Sequence, residues 1–169
     1  MTPISLGIWG PTGTTKSSIA LSFPRPVVFD FDLRLGGVKP ELRAGIVRLH
    51  EYPKPVKIPM SGETRGNQVK IKLEGYREMY DKFVQDFVKE LKSSDSDSLV
   101  IDTGTQMREI TNACYLQELQ EMPSKPGEFR VQLQQYEYGT PNDRIQAIYQ
   151  SGKLAGKNLV ITHYEDDEY

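Results

Sequence analysis

The sequence predicts an α/β fold of three layers, with helices on both faces of a mainly parallel sheet. Three observations lead there. Short apolar runs alternate with helical patterns along the chain. The first run, Ile4-Ser5-Leu6-Gly7-Ile8-Trp9, feeds a Gly/Thr-rich loop that ends in Lys16-Ser17 and opens a helix. A later run, Leu99-Val100-Ile101, ends on the carboxylate of Asp102.

Taken in order, Ile4–Trp9 reads as a buried strand. Lys16 to about Ser22 follows as a helix that Pro24 and Pro26 terminate. Val27–Phe31 is a second strand, and Ile46–Tyr52 a minor third one. Residues 53–74 hold Pro53, Pro55 and Pro59, and Val69–Leu73 alternates apolar and basic residues. This stretch reads as an extended excursion or hairpin. Tyr76–Leu91 places Met79, Tyr80, Phe83, Phe87 and Leu91 at helical spacing, with Lys and Glu on the other face. Leu99–Asp102 is a strand, and Gln106–Glu121 a helix. Residues 122–139 form a long connection in which Phe129–Leu133 can add a helical turn. Asn142–Leu154 is helical, with Pro141 suited to a first turn. Leu159–Thr162 is the last strand.

With 169 residues, 37% of them hydrophobic, the chain fits a single domain over 1–169 with one substantial core. Its net charge of −2 gives no global basic field for nucleic acid, though a local patch is compatible with it. The lone cysteine, Cys114, excludes an internal disulfide framework and a Cys-rich zinc site. No run approaches the ~20 apolar residues of a membrane helix, and the first residues lack the pattern of a signal peptide. A cytoplasmic location is expected.

The chemistry concentrates in Gly10-Pro11-Thr12-Gly13-Thr14-Thr15-Lys16-Ser17-Ser18. A glycine-rich turn between strand and helix brings backbone N–H groups to an anion, and the helix dipole adds to the field. Gly13 permits close approach of the backbone, Lys16 carries a point charge to the β/γ phosphates, and the Ser17 hydroxyl can ligate Mg²⁺. Thr15 stands where the pattern has glycine. If that position needs a positive φ, a β-branched residue there is strained. Asp102, at a strand end beside the loop, is the second candidate Mg²⁺ ligand. Asp30 and Asp32 fall on one side of their strand by alternation, and Asp32 is either the group that polarises an attacking water or a strand-end cap or water-bridged Mg²⁺ partner. His163 ends the last strand, where ligands of parallel sheets collect, and is the candidate γ-phosphate contact. His50 reads as structural.

Together, Gly10–Ser18, Val27–Asp32, Leu99–Asp102 and Asn158–His163 resemble the RecA-like P-loop ATPases of phages, an AAA-type nucleotide-binding family that includes single-strand-annealing helpers. The resemblance covers most of the chain except 53–74. It implies ATP and Mg²⁺ as cofactors, with hydrolysis in phage DNA recombination, annealing or replication. Lys16 and Ser17 match the family's phosphate loop and Asp102 its acidic strand end. Asp32 falls where the family places a catalytic Glu, and His163 at its polar sensor. Thr103 stands where many motor-type relatives carry a Glu, so the base must come from elsewhere. The family's strand order is 5-1-4-3-2. Four strands are assigned here, so the first would be an open edge. Either the chain is truncated at its C-terminus relative to the family, or another element covers that edge.

Lys54, Lys57, Arg65, Lys70 and Lys72, with Tyr52 and Tyr76 nearby, form a basic stretch able to track single-stranded DNA or simply to face solvent. Arg144 is either a trans-acting arginine in a homo-oligomer or a partner in a surface ion pair. Candidate partners are therefore ATP, single-stranded DNA, further copies of the chain and phage recombination or replication proteins. Two other readings stay open. One is a small P-loop kinase, with Lys125 and Arg130 in its lid. The other is a nucleotide-binding module without turnover.

Overall fold

The computed structural model describes residues 2–65, 68–123 and 129–165. The elements run β1 (Ser5–Gly10), α1 (Lys16–Leu21), β2 (Pro26–Asp30), α2 (Pro40–Ala44), β3 (Arg48–Glu51), β4 (Lys57–Arg65), β5 (Gln68–Leu73), α3 (Tyr76–Lys92), β6 (Ser98–Asp102), α4 (Gly104–Glu121), α5 (Gly139–Leu154) and β7 (Asn158–Tyr164). Phe129–Leu133 forms no helical turn. The turn comes slightly later, as a 3₁₀ segment at Gln135–Tyr138.

A five-stranded sheet runs β1-β7-β6-β2-β3, and every pairing in it is parallel. The four strands assigned from the sequence thus stand in the expected order 1-4-3-2, and the minor strand adds a fifth at the far edge. β2 and β6 are buried at every position, which explains their unbroken apolar runs. β1 is an open edge, and Trp9, expected in the core, is 65% exposed there. The excursion is a separate two-stranded antiparallel hairpin, β4–β5.

Strand alternation divides the core in two. Val27, Phe29, Leu99, Ile101, Leu159 and Ile161 face α3, α4 and α5, in a cluster with Phe83, Phe87, Met107, Ile110, Ile145 and Ile148. Val28, Val100 and Val160 face the opposite way, against Ala20 and Leu21 of α1 and partly buried Leu42 of α2. Three layers follow from that division. Local signals fix the helix ends: Thr103 Oγ1 accepts from Gln106 N at 3.1 Å to cap α4, and Gly75, at φ 81°, precedes α3.

Buried polar groups tie the layers together. Glu90 of α3 is fully buried and lies 3.2 Å from Arg48 Nε and 3.1 Å from His50 Nε2, both on β3. His50 also sits 3.5 Å from Asp86, in keeping with a structural role. The Lys157 ammonium donates to Glu90 O and Ser93 O at 2.6 Å and to Ser96 Oγ at 2.7 Å, holding the C-terminal end of α3. A cation there satisfies orphan carbonyls and complements the helix dipole. Burial pushes the Lys157 ammonium below its ordinary pKa, against the pull of Glu90 and Asp97. Lys157→Ala should cost about 1.5–3 kcal/mol, the range for losing a charged hydrogen bond. Urea denaturation checks this, and an unchanged midpoint would refute the clamp.

Candidate active site

The loop between β1 and α1 takes its shape from its own hydrogen bonds. Thr14 Oγ1 donates to Pro11 O at 2.8 Å, and Lys16 N donates to Thr14 O at 2.7 Å. The left-handed torsion falls on Gly13, at φ 82°, while Thr15 has φ −66°. A β-branched side chain is unstrained at that angle, so the departure from the usual glycine is accommodated. The Lys16 ammonium is nearly buried and donates to Gly10 O and Pro11 O, each at 2.6 Å. It also lies 5.1 Å above the Tyr164 ring.

Residues Thr12–Ser18, with Asp32, Arg34, Asp102, Thr103 and Tyr164, line a cavity of about 300 Å³. Ser17 Oγ donates to Asp102 Oδ2 at 2.8 Å. Thr162 Oγ1 donates to the other oxygen of the same carboxylate. Three elements, α1, β6 and β7, therefore meet on one buried acid. Asp32 faces the cavity, where it accepts from the Tyr164 hydroxyl and lies 3.6 Å from Arg34 Nε. Burial, then the bond to Asp32, keeps the Tyr164 phenol well above its ordinary pKa, so it is a donor at neutral pH.

β2 ends at Asp30, whose Oδ1 accepts from Asp32 N at 3.0 Å and Leu33 N at 2.8 Å. In the turn that follows, Leu33 has φ 56°, and Asp32 lines the loop cavity. Burial raises the Asp30 pKa to about 6, the two backbone donors oppose it, and Asp102 and Asp32 add to it. Asp30 thus shapes the chain that presents Asp32.

His163 is the predicted site residue that the geometry places elsewhere. β7 runs on to Tyr164, and alternation sends Thr162 and Tyr164 to the loop side and His163 to the other. The His163 ring stacks on Trp9 at 4.8 Å and is absent from the lining of the loop cavity. Thr162 and Tyr164 occupy the place expected for it. Sequence reasoning missed both, together with Arg34; the period of two, phased on the buried Val160, would have found the first two.

Outside this cavity, Arg144 pairs with Glu118 at 2.9 Å, Lys54 with Glu109 at 2.6 Å, and Lys72 with Glu74. Arg130 pairs with Glu137 at 3.1 Å, and Lys125 lies outside the described residues, as does the Arg65 side chain. The Cys114 thiol is buried and pushed up to about 12, first by burial and then by Glu118. Among the described residues, no helix is long and apolar enough to cross a membrane.

The oxygen set fits Mg²⁺ better than a softer metal. Among the described residues, no group of three or more His, Cys, Asp or Glu side chains forms a protein-only cage. One hydroxyl and one carboxylate, completed by phosphates and water, is the donor set magnesium accepts. The model of a protein family described as an AAA domain matches residues 2–169. No curated protein matches the chain.

Proposed function

Because the chain belongs to this AAA-domain family, of nucleotide-binding ATPase type, we propose that it binds Mg-ATP at the Gly10–Ser18 loop. We further propose that it hydrolyses ATP in phage DNA recombination, annealing or replication, in the host-cell cytoplasm. The observation that carries the nucleotide reading is the 2.8 Å bond from Ser17 Oγ to Asp102 Oδ2. It joins the loop to the acidic strand end at the point where a phosphate-bound Mg²⁺ needs both oxygens.

In this reading Lys16 leaves the carbonyls of Gly10 and Pro11 for the β/γ phosphates. Ser17 and Asp102 would hold the Mg²⁺, which would neutralise charge on the phosphates. Thr162 keeps the Asp102 carboxylate oriented. Asp32 accepts the proton of the attacking water, with Tyr164 and Arg34 holding it in place. The Asp102–Thr162 and Asp32–Tyr164 bonds support these assignments.

Steady-state phosphate release, with and without single-stranded DNA, tests the proposal. Asp32→Asn should lower kcat about a hundredfold or more with little change in KM. Equal turnover in both forms would remove Asp32 as the base. The bond from Tyr164 to Asp32 also favours a second reading, a nucleotide-binding module in which Asp32 stays engaged and no turnover occurs. ATP binding without release above a Lys16→Ala control would establish that reading instead. The kinase reading gains little, since Arg130 is held by Glu137.

A further inference from the structure

A second cavity lies away from the phosphate loop. It is a groove of about 620 Å³ on the α4/α5 side of the open sheet edge, floored by Gly7, Leu159 and Ile161. Its walls carry aromatic planes and cations. Trp9 stacks on His163 with ring planes 10° apart, and Tyr149 stands on the α5 side. The indole lies flat on the strand: a Cβ on Gly7 would come within 2.2 Å of it, so only glycine leaves it that seat. The rim holds Arg108 of α4 and Lys153 of α5, both exposed.

Among the described residues, none that lines this groove is an Asp or Glu. Among the described residues, neither Arg108 nor Lys153 makes an ion pair, whereas Arg25, Arg48, Lys54, Arg77 and Arg144 each pair with a carboxylate. Burial, then Arg108, holds the His163 imidazole below its ordinary pKa, so it serves as a neutral stacking plane at pH 7. An exposed indole beside half-buried Tyr149 and His163, between two cations, matches a polymer of bases and phosphates: every base offers a π-face, and every phosphate a negative charge. A polypeptide strand on β1 would use the backbone edge, but would leave these two cations uncompensated unless it were acidic.

We propose that this groove binds single-stranded nucleic acid, with bases stacked on Trp9 and Tyr149 and phosphates paired with Arg108 and Lys153. The inference rests on the reading of the chain as an ATPase that serves DNA, and it places the strand away from the basic hairpin. His163 and Tyr164 are consecutive on β7; both line the groove, and Tyr164 also lines the phosphate-loop cavity. An occupied groove therefore adjoins the nucleotide site.

Trp9 is the single tryptophan of the chain, so its fluorescence reports on the groove alone. The test titrates the full chain with an oligodeoxythymidylate of about sixteen nucleotides, following indole quenching and oligonucleotide anisotropy, with ATP turnover measured in parallel. Binding should quench Trp9. The double variant R108E/K153E should bind at least roughly tenfold more weakly, and its log-affinity against log-salt slope should be shallower by about 1.4. The milder R108Q/K153Q serves if the first variant fails to fold. Binding that neither quenches Trp9 nor responds to these variants overturns the groove while leaving a DNA-linked ATPase standing. No binding, with turnover indifferent to the oligonucleotide, overturns both. A concentration-dependent dimer that shields Trp9 and excludes the oligonucleotide overturns the proposal in favour of a protein strand on β1.

Discussion

Lys16→Ala should reduce the affinity for Mg-ATP roughly a hundredfold or more. The ammonium now spans two loop carbonyls at 2.6 Å each and has 6% of its surface exposed. A phosphate taking over those contacts gains charge-assisted hydrogen bonds, each worth about 1.5–3 kcal/mol, and 1.4 kcal/mol is a factor of ten. Among the described residues, no other lysine lines the cavity. Its remaining cation, Arg34, lies beside Asp32 with its side chain 67% exposed. Isothermal calorimetry on both forms is the check, with a thermal melt to show that the variant is folded. Equal affinities would remove the phosphate site.

The second large effect belongs to stability. Phe83 is 1% exposed and sits at the centre of an aromatic cluster. Its ring lies 5.0 Å from Phe31, 5.6 Å from Tyr52 and 5.7 Å from both Phe29 and Phe87. The contacts to Phe29, Phe31 and Tyr52 are edge-on, the geometry in which ring quadrupoles attract. Phe83→Ala leaves a cavity bounded by β2 and α3, and rings this stiff fill little of it. A loss of about 3–5 kcal/mol is expected, a large share of the roughly 5–15 kcal/mol available to a domain. Urea denaturation followed by circular dichroism measures it. A loss below about 1 kcal/mol would show that α3 is not anchored by this ring.

The phosphate loop was legible because its signal is local. Gly13, Lys16 and Ser17 lie within a few residues of one another, and strand and helix flank them in sequence. Asp102 was legible because β6 is buried on both faces, so its apolar run ends visibly at the first carboxylate. The His163 assignment failed because strand ends are local and their phase is not. β7 extends past Thr162, and a period of two read from the wrong residue exchanges faces. The capping role of Asp30 was illegible for another reason: it shows only in the turn that follows the strand, where its carboxylate takes two backbone donors. Nothing near Lys157 in sequence announces that it clamps α3, since its partners lie more than sixty residues away. Trp9 was assigned to the core on hydrophobicity alone, which does not say whether a strand is central or at an edge.

The position of β7 also bears on how the molecule comes into being. The strand enters between β1 and β6, although the segments it joins lie 154 positions apart in sequence, as in the Ile4–Asn158 bond. Parallel neighbours so distant in sequence carry a high loop-closure cost and pair late. Until β7 inserts, β1 has no neighbour, Thr162 and Tyr164 are missing from the nucleotide site, and Asp102 lacks one of its two hydroxyl partners. A chain emerging from the ribosome can therefore display its loop early yet acquires the complete pocket only with the last strand. On the proposed function, nucleotide binding would be a readout of this topology, and ATP would favour the state in which β7 is paired.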